Sequence, residues 1–302
     1  MKASTFFKTL NFFTGKLYNA GYDKFVKERG IETREDIVYD AEFPEIRLGD
    51  FYRAKSVAPL PVVIYIHGGG FVAGNKRDRR YYCAEIAASG YAVFCVNYGV
   101  APTHRFPFGI LSVIKALGFL DEKAREYGLD MSRTVLNGDS AGAYMAACVS
   151  AAARSEDYRT LIGAPETAVI PKGLIMGCGN YDLIELTGRR STFDLLNKIL
   201  IDLTGWKDFS HFDEYGYRKV FNPSLYMEGS NAPEILMIYA LRDRFCKGHA
   251  ELWIKAFSER GILCESISDG TKVHNYHLRR QPQPSKDAKA KIVSFLNKIK
   301  TL

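Results

Sequence analysis

Residues 134–153 read TVLNGDSAGAYMAACVSAAA. Thr134–Leu136 is a short apolar stretch with the character of a buried strand, and the Ala-rich run Ala141–Ala153 reads as a helix. Between them lies Gly138-Asp139-Ser140-Ala141-Gly142. Glycines on both sides of Ser140 let a sharp strand-to-helix turn fit without side-chain clashes. Such a turn lifts a serine hydroxyl to the top of a sheet, beside a helix N-terminus whose positive end favours a developing anion. The plain alternative is a chance G-x-S-x-G in a chain with 26 glycines. The strand–turn–helix setting weighs against it.

Working outward, strands and helices alternate. Val62–Ile66 and Ala92–Val96 are short, fully apolar β runs, and Leu174–Met176, Ile235–Ala240 and Leu263–Ile267 continue the series. Helical patterns fall at Arg80–Ser89, Phe108–Tyr127, Gly248–Arg260 and Lys286–Ile299. Continuous apolar strands separated by helices predict an α/β fold, a mostly parallel sheet covered on both faces. Residues 36–54 alternate weakly and predict an antiparallel hairpin at one edge, turning near Asp40–Pro44. Some sixty residues separate the strands at Leu174 and Ile235, far more than a crossover needs, so they hold an insertion above the strand ends. It carries a helix-like stretch, Thr192–Leu203, then Trp206, Phe209, Phe212, Tyr215, Tyr217, Phe221 and Tyr226. Those aromatics read equally well as the insertion's own small core and as a substrate lining.

His67-Gly68-Gly69-Gly70 directly follows the strand Val62–Ile66. Consecutive glycines let backbone N–H groups face a substrate oxygen, and the N–H of Ala141, next after the serine, supplies a further donor. No Lys-Ser/Thr follows, which disfavours a phosphate loop. His67 belongs to the loop before the serine and reads as its brace. A serine nucleophile needs a base and an orienting acid, in the chain order Ser, acid, His for this layout. Asp243 stands just after the strand Ile235–Ala240, and His274 follows the next strand and the Asp269-Gly270 turn. His277, three residues on, remains an alternative base. Asp139 is too close to Ser140 to support a remote histidine, and His104, His211 and His249 read as structural. His274-x-x-His277 lacks further ligands at metal-site spacing, so no metal and no cofactor are called for.

Composition bounds the rest. The 302 residues carry 41 Lys+Arg against 34 Asp+Glu, a net charge of +7 spread along the chain, with no basic stripe to suggest nucleic acid. A chain of this length builds a large core without staples. Six cysteines, at 83, 95, 148, 178, 246 and 264, form no CxxC pair and predict buried thiols in a reducing, cytoplasmic setting. No apolar run approaches the roughly 18 residues of a membrane span. The N-terminus begins like a signal peptide, but Lys8, Asn11 and Lys16 interrupt it. Phe6, Leu10, Phe13 and Leu17 recur there at helical spacing and predict a helix packed on the body by that face, with a membrane-surface helix as the minor reading.

With these residues in place, the sequence resembles the hormone-sensitive-lipase-like (family IV) carboxylesterases of the α/β-hydrolase superfamily, over roughly residues 60–300. The resemblance rests on His67-Gly-Gly-Gly70-Phe71, on Asn97-Tyr-Gly-Val-Ala-Pro-Thr-His-Arg-Phe-Pro107, on Gly138-Asp-Ser-Ala-Gly142 and on His274. It implies an α/β-hydrolase fold in a single domain over 1–302, with a helical cap from about 1–35 and 181–232. It implies Ser140 as nucleophile, His274 as base and Asp243 as orienter. Gly69, Gly70 and Ala141, with Gly68 beside them, are implied as the oxyanion hole. The chain departs from the family at Ala143, at Asp243-Arg244-Phe245 and at Asn275-Tyr276. The expected activity is hydrolysis of small, short-acyl esters, with no nucleic-acid partner, no stable membrane insertion and a homodimer left open. An amidase, peptidase or lipase would share the same residues. A non-catalytic receptor on this fold typically loses the histidine retained here.

Overall fold

The computed structural model describes residues 2–181, 183 and 195–302. Its strands are β1 (Ile31–Val38), β2 (Leu48–Ala54), β3 (Leu60–Ile66), β4 (Ala92–Val96), β5 (Leu129–Asp139), β6 (Gly173–Gly177), β7 (Glu234–Ala240) and β8 (Cys264–Asp269). They form one sheet in the order β1-β2-β4-β3-β5-β6-β7-β8. β1 and β2 pair antiparallel, β2 meets β4 antiparallel, and every other pairing is parallel. This is the α/β-hydrolase arrangement expected from the sequence.

The apolar strands explain the layering. Val62, Ile64 and Ile66 of β3 face a core shared with α4 (Phe108–Glu122), α6 (Ala141–Arg154) and α9 (His249–Glu259). Val63 and Tyr65 face the opposite core, closed by α3 (Arg80–Ala88) and α10 (Gln283–Lys300). A strand buried on both faces must be apolar at every position, and β3 and β4 are buried throughout. The edge strand β1, IETREDIV, is exposed along most of its length, and its charges discourage pairing with another chain.

Two expectations need correction. The predicted helix Phe108–Tyr127 is interrupted at Lys123, and a single turn, α5 (Ala124–Tyr127), completes it. Leu120 and Tyr127 both reach the core, so the apolar spacing runs on across the break and conceals it. The N-terminal helix α1 (Ala3–Tyr18) does pack on the body, but by a face rotated from the predicted one, with Phe6 and Leu10 only partly buried at its edge. Ala3, Phe7, Asn11, Gly15 and Tyr18 are buried, whereas Phe13 and Leu17 are 64% and 55% exposed. The contact is a close approach through small residues: a side chain added at Gly15 would lie 3.0 Å from Asp78 Oδ1. Hydrophobic spacing ranks positions by apolar bulk and overlooks a face chosen for closeness. Next along the chain, α2 (Tyr22–Arg29) leads into β1, and α7 (Glu156–Ile162) follows α6.

The insertion contributes α8 (Leu195–Thr204) and several 3₁₀ turns. Thr192–Asp194, the start of the predicted helix, lie outside the described residues. The insertion's aromatics pack on one another. Phe212 stacks on Tyr215, and Phe221 meets Phe106, Phe212 and Tyr215. Of the two readings, the small aromatic core is the one observed. No described helix is long and apolar enough to cross a membrane.

Candidate active site

Ser140 sits between the end of β5 and the start of α6 with φ 53° and ψ −120°. A side chain in that region carries about 1–3 kcal/mol of strain, sustained only where the surroundings fix it. The Ser140 N–H donates to Gly177 O at 2.7 Å, anchoring the turn to β6. A Cβ at Gly142 would lie 2.0 Å from Ile66 O, and one at Gly138 would lie 2.3 Å from Gly142 O. Only glycine lets α6 start this close to β3.

Beneath the turn, Asp139 is fully buried and saturated with donors. Its Oδ1 accepts from Tyr65 Oη at 2.6 Å, from the Gly68 N–H at 3.1 Å and from Arg79 Nε at 3.1 Å. Its Oδ2 accepts from Arg79 Nη2 at 2.8 Å and from Asn275 Nδ2 at 2.9 Å. Burial works to raise its pKa, but the two-pronged Arg79 contact and the Tyr65 hydroxyl outweigh it and hold the carboxyl at about 2. Sequence reasoning missed this role for Asp139, Arg79 and Asn275; an acid wedged inside the motif was the one available signal.

This network corrects the expected oxyanion hole. The Gly68 amide is spent on Asp139, so Gly68 is the root of the loop and not a donor to ligand. Among the described residues, no protein acceptor engages the amides of Gly69, Gly70 or Ala141. Gly69 has φ 131°, and a Cβ there would meet Ala73 O at 2.0 Å, so the loop's path requires glycine. His67 is the brace expected of it. Its ring stacks on Tyr98 at 4.3 Å and its Nδ1–H donates to Gly68 O at 2.8 Å. Burial lowers its pKa to about 4, so the ring is neutral.

His274 meets Asp243, with Nδ1 2.7 Å from Oδ2. Asp243 is buried; its Oδ1 accepts the Phe245 N–H at 2.9 Å and its Oδ2 accepts the Cys246 thiol at 2.9 Å. Burial pushes the Asp243 pKa up, but the His274 charge and hydrogen bond bring it below the ordinary value. Burial pushes His274 down, and Asp243 more than offsets that, leaving its pKa above 6.5. His277 goes elsewhere. It is buried beneath the serine turn, where a Cβ at Gly177 would lie 2.4 Å from its Cε1, and its ring meets Tyr82 edge-on. Of the two histidines left open by spacing, the structure brings His274 to the acid.

Ser140, Ala141, Gly70 and His274 open onto one cavity of about 30 Å³, room for roughly two or three waters. Its roof is apolar: Phe7 from α1, Leu196, Ile199 and Leu200 from α8, and Phe245. Phe7 lies so near the glycine loop that a Cβ at Gly70 would come within 2.9 Å of its ring. The bulky aromatics of the insertion are absent from this lining; the aliphatic face of α8 takes their place. One cluster nearby has metal-ligand chemistry: the ligating atoms of Cys178, Asp243 and His274 lie within 4.8 Å of one another.

Comparison with known proteins follows the same lines. The profile described as the α/β hydrolase fold matches residues 63–278. Esterase LipC of Mycobacterium tuberculosis is 28% identical over 210 residues, which are 65% of this chain and 48% of LipC. Carboxylesterase NlhH of the same organism is 40% identical over 96 residues, 32% of this chain and 30% of NlhH. The chain spans about half, or less, of the length of these curated relatives. Esterase B of Lactobacillus rhamnosis, solved as a complex with a tributyrin phosphonate, superposes with a TM-score of 0.77 at 19% identity, covering 93% of this chain and 94% of that one.

Proposed function

The chain belongs to the α/β-hydrolase family, in its hormone-sensitive-lipase-like branch, and from that membership we propose that it is a serine carboxylesterase. One observation carries the reading: a histidine held at 2.7 Å by a buried carboxylate opens onto the same small cavity as a serine on a strained strand-to-helix turn. Ser140 Oγ attacks the ester carbonyl while His274 Nε2 takes its proton. Asp243 keeps the other ring proton on Nδ1 and stabilises the imidazolium. The amides of Gly69, Gly70 and Ala141 receive the oxyanion. The imidazolium returns its proton to the departing alcohol, and a water activated by His274 then releases the acid from Ser140. The activity of LipC, NlhH and esterase B, as their names give it, supports this assignment.

In this reading α1 and the insertion act as a cap over Ser140, within a single domain. The narrow cavity favours short acyl groups, and the tributyrin-like inhibitor of esterase B is consistent with that preference. A second reading has one observation in its favour: Phe12, Phe13 and Leu17 of α1 are exposed, as a lipase docking on an interface would need. The free thiols fit a reducing, cytoplasmic compartment.

The test is a p-nitrophenyl ester panel from acetate to palmitate, run beside Ser140→Ala and an organophosphonate. Turnover that vanishes in Ser140→Ala, with label on Ser140 alone, is the expected result. Undiminished turnover by that variant overturns the serine mechanism.

A further inference from the structure

Two cysteines stand against the acid–base pair, and the proposed hydrolysis uses neither. The Cys246 thiol is 2.9 Å from Asp243 Oδ2 and 3.7 Å from His274 Nδ1. Cys178 follows β6 directly with φ 47° and is buried; its sulfur joins Asp243 and His274 in the group whose ligating atoms lie within 4.8 Å of each other. One thiol, one imidazole nitrogen and one carboxylate oxygen thus converge on one small volume, from the end of β6, the loop after β7 and the loop after β8, with the Cys246 thiol lying against the carboxylate and the ring.

We propose that Cys178, Asp243 and His274, with Cys246 beside them, form a binding site for zinc, and that its occupation switches the hydrolase off. Zinc takes thiolate, imidazole and carboxylate ligands tetrahedrally, and its bond lengths imply ligand–ligand edges of about 3.3–3.8 Å. The 2.7 Å between His274 Nδ1 and Asp243 Oδ2 and the 4.8 Å bound on the group bracket that range, so sub-ångström to ångström movements of the side chains bring the three ligands onto one ion. Magnesium and calcium demand oxygen ligands in larger number and are poorly served by a sulfur and a single carboxylate. The His274 side chain is 20% exposed and lines the cavity with Ser140, so an ion enters by the substrate's route.

Zinc and turnover exclude each other for a stated reason. In the active arrangement Nδ1 of His274 carries a proton that it donates to Asp243. A metal on Nδ1 takes the place of that proton, which moves to Nε2, the atom that must accept the serine's proton. The Asp243 oxygen that held the ring becomes a ligand as well. The Cys178 thiol gives up its proton to solvent on binding, so thiolate and carboxylate together balance the ion's two positive charges. The inhibition half of the proposal rests on the esterase reading; the binding half does not.

The experiment separates the two. The full chain is stripped with EDTA, desalted and titrated with Co²⁺, whose thiolate charge-transfer band reports sulfur ligation whatever the protein hydrolyses. A band saturating at one equivalent and bleached by Zn²⁺ is expected. In parallel, Zn²⁺ but not Mg²⁺ should abolish ester turnover, and EDTA should restore it. Cys178→Ser removes a ligand while leaving the serine, its histidine and its acid intact. It should keep the parent's turnover and need about a hundredfold more Zn²⁺ for the same inhibition, since even lesser perturbations of zinc sites cost 10–100-fold. Cys178→Ala serves the same test if the serine variant does not fold. A cobalt complex without a thiolate band, equal zinc sensitivity of the parent and Cys178→Ser, or zinc bound with turnover unchanged each overturns the proposal. If no ester is turned over at all, the cobalt band still decides whether the site exists.

Discussion

The carboxylate of Asp139 accepts the amide of Gly68 at 3.1 Å, tying the turn that carries Ser140 to the glycine loop facing it. The same carboxylate pairs with Arg79, and both side chains are buried. Two sides of the cavity are therefore held in register by one ionised group.

Removing that group should be costly. Asp139→Ala leaves the Arg79 guanidinium buried without its partner, and breaking such a pair costs about 3–5 kcal/mol. Urea unfolding checks the loss. The wild-type chain should show the matching pH dependence. The folded pKa of about 2 lies below the unfolded value of 3.8, so the stabilisation is complete above 3.8 and is lost as pH falls through 2. An Asp139→Ala variant that unfolds at the parent's urea midpoint would contradict the role given to this network.

His274 has the opposite sign. His274 has its pKa raised above 6.5 by Asp243, so its share of stability is full below 6.5 and fades as pH rises through the folded value. Its neutral form is the base in the proposed chemistry, so kcat/KM should climb with pH along a limb centred above 6.5. Asp243→Asn removes the charge that raises it. The limb should move to lower pH while the plateau falls by about ten-thousandfold, as when the orienting acid of a triad becomes an amide. An unchanged limb in that variant would show that Asp243 does not govern His274.

His274 and His277 should separate by what their loss damages. His274→Ala should lose turnover by several orders of magnitude while unfolding near the parent's midpoint. His277→Ala removes a buried ring packed on Gly177 and Tyr82, so it should cost about 2–5 kcal/mol of stability. Its kcat/KM, measured well below the transition, should stay close to the parent's. Reversal of the two results would place the base three residues later.

The strands, the mostly parallel sheet and the residues of the candidate site were legible because each leaves a local mark. A doubly buried strand is apolar throughout, as in VVIYI at 62–66, and a serine between close-packed glycines declares the turn at 138–142. Position after β7 and β8 pointed to Asp243 and to a choice between His274 and His277, which the contact with Asp243 decides for His274. What escaped notice was set by long-range closeness. Nothing local tells that Gly68 donates to a carboxylate 71 residues away, or that Asn275 reaches the same group. The face of α1 was misread because Gly15 and Asn11, poor in apolar bulk, are what lets the helix lie down on the loop. Cys178 and Cys246 were read as buried thiols, and they are; that both stand beside Asp243 depends on two separate strand ends and leaves no local mark.

The lining of the cavity makes chain-length preference the sharpest test of the proposed substrate. Leu196, Ile199 and Leu200 of α8 close it from above, and Phe7 closes it from α1. With about 30 Å³ free, the parent should gain from each added methylene only over the first few carbons and then lose efficiency steeply. While room remains, each methylene is worth about 0.8 kcal/mol, or roughly fourfold in kcat/KM. Leu200→Ala enlarges the roof without touching Ser140, His274 or the oxyanion amides. Its optimum should shift to acyl chains longer by one to three carbons, with turnover of acetate little changed. The interfacial reading predicts something else: Phe13→Ser and Leu17→Ser, on the exposed face of α1, would then abolish activation by emulsified tributyrin and leave soluble esters unaffected. An acyl-length profile that Leu200→Ala does not move, together with strong activation by the emulsion that those α1 variants remove, would favour the lipase over the closed-pocket esterase.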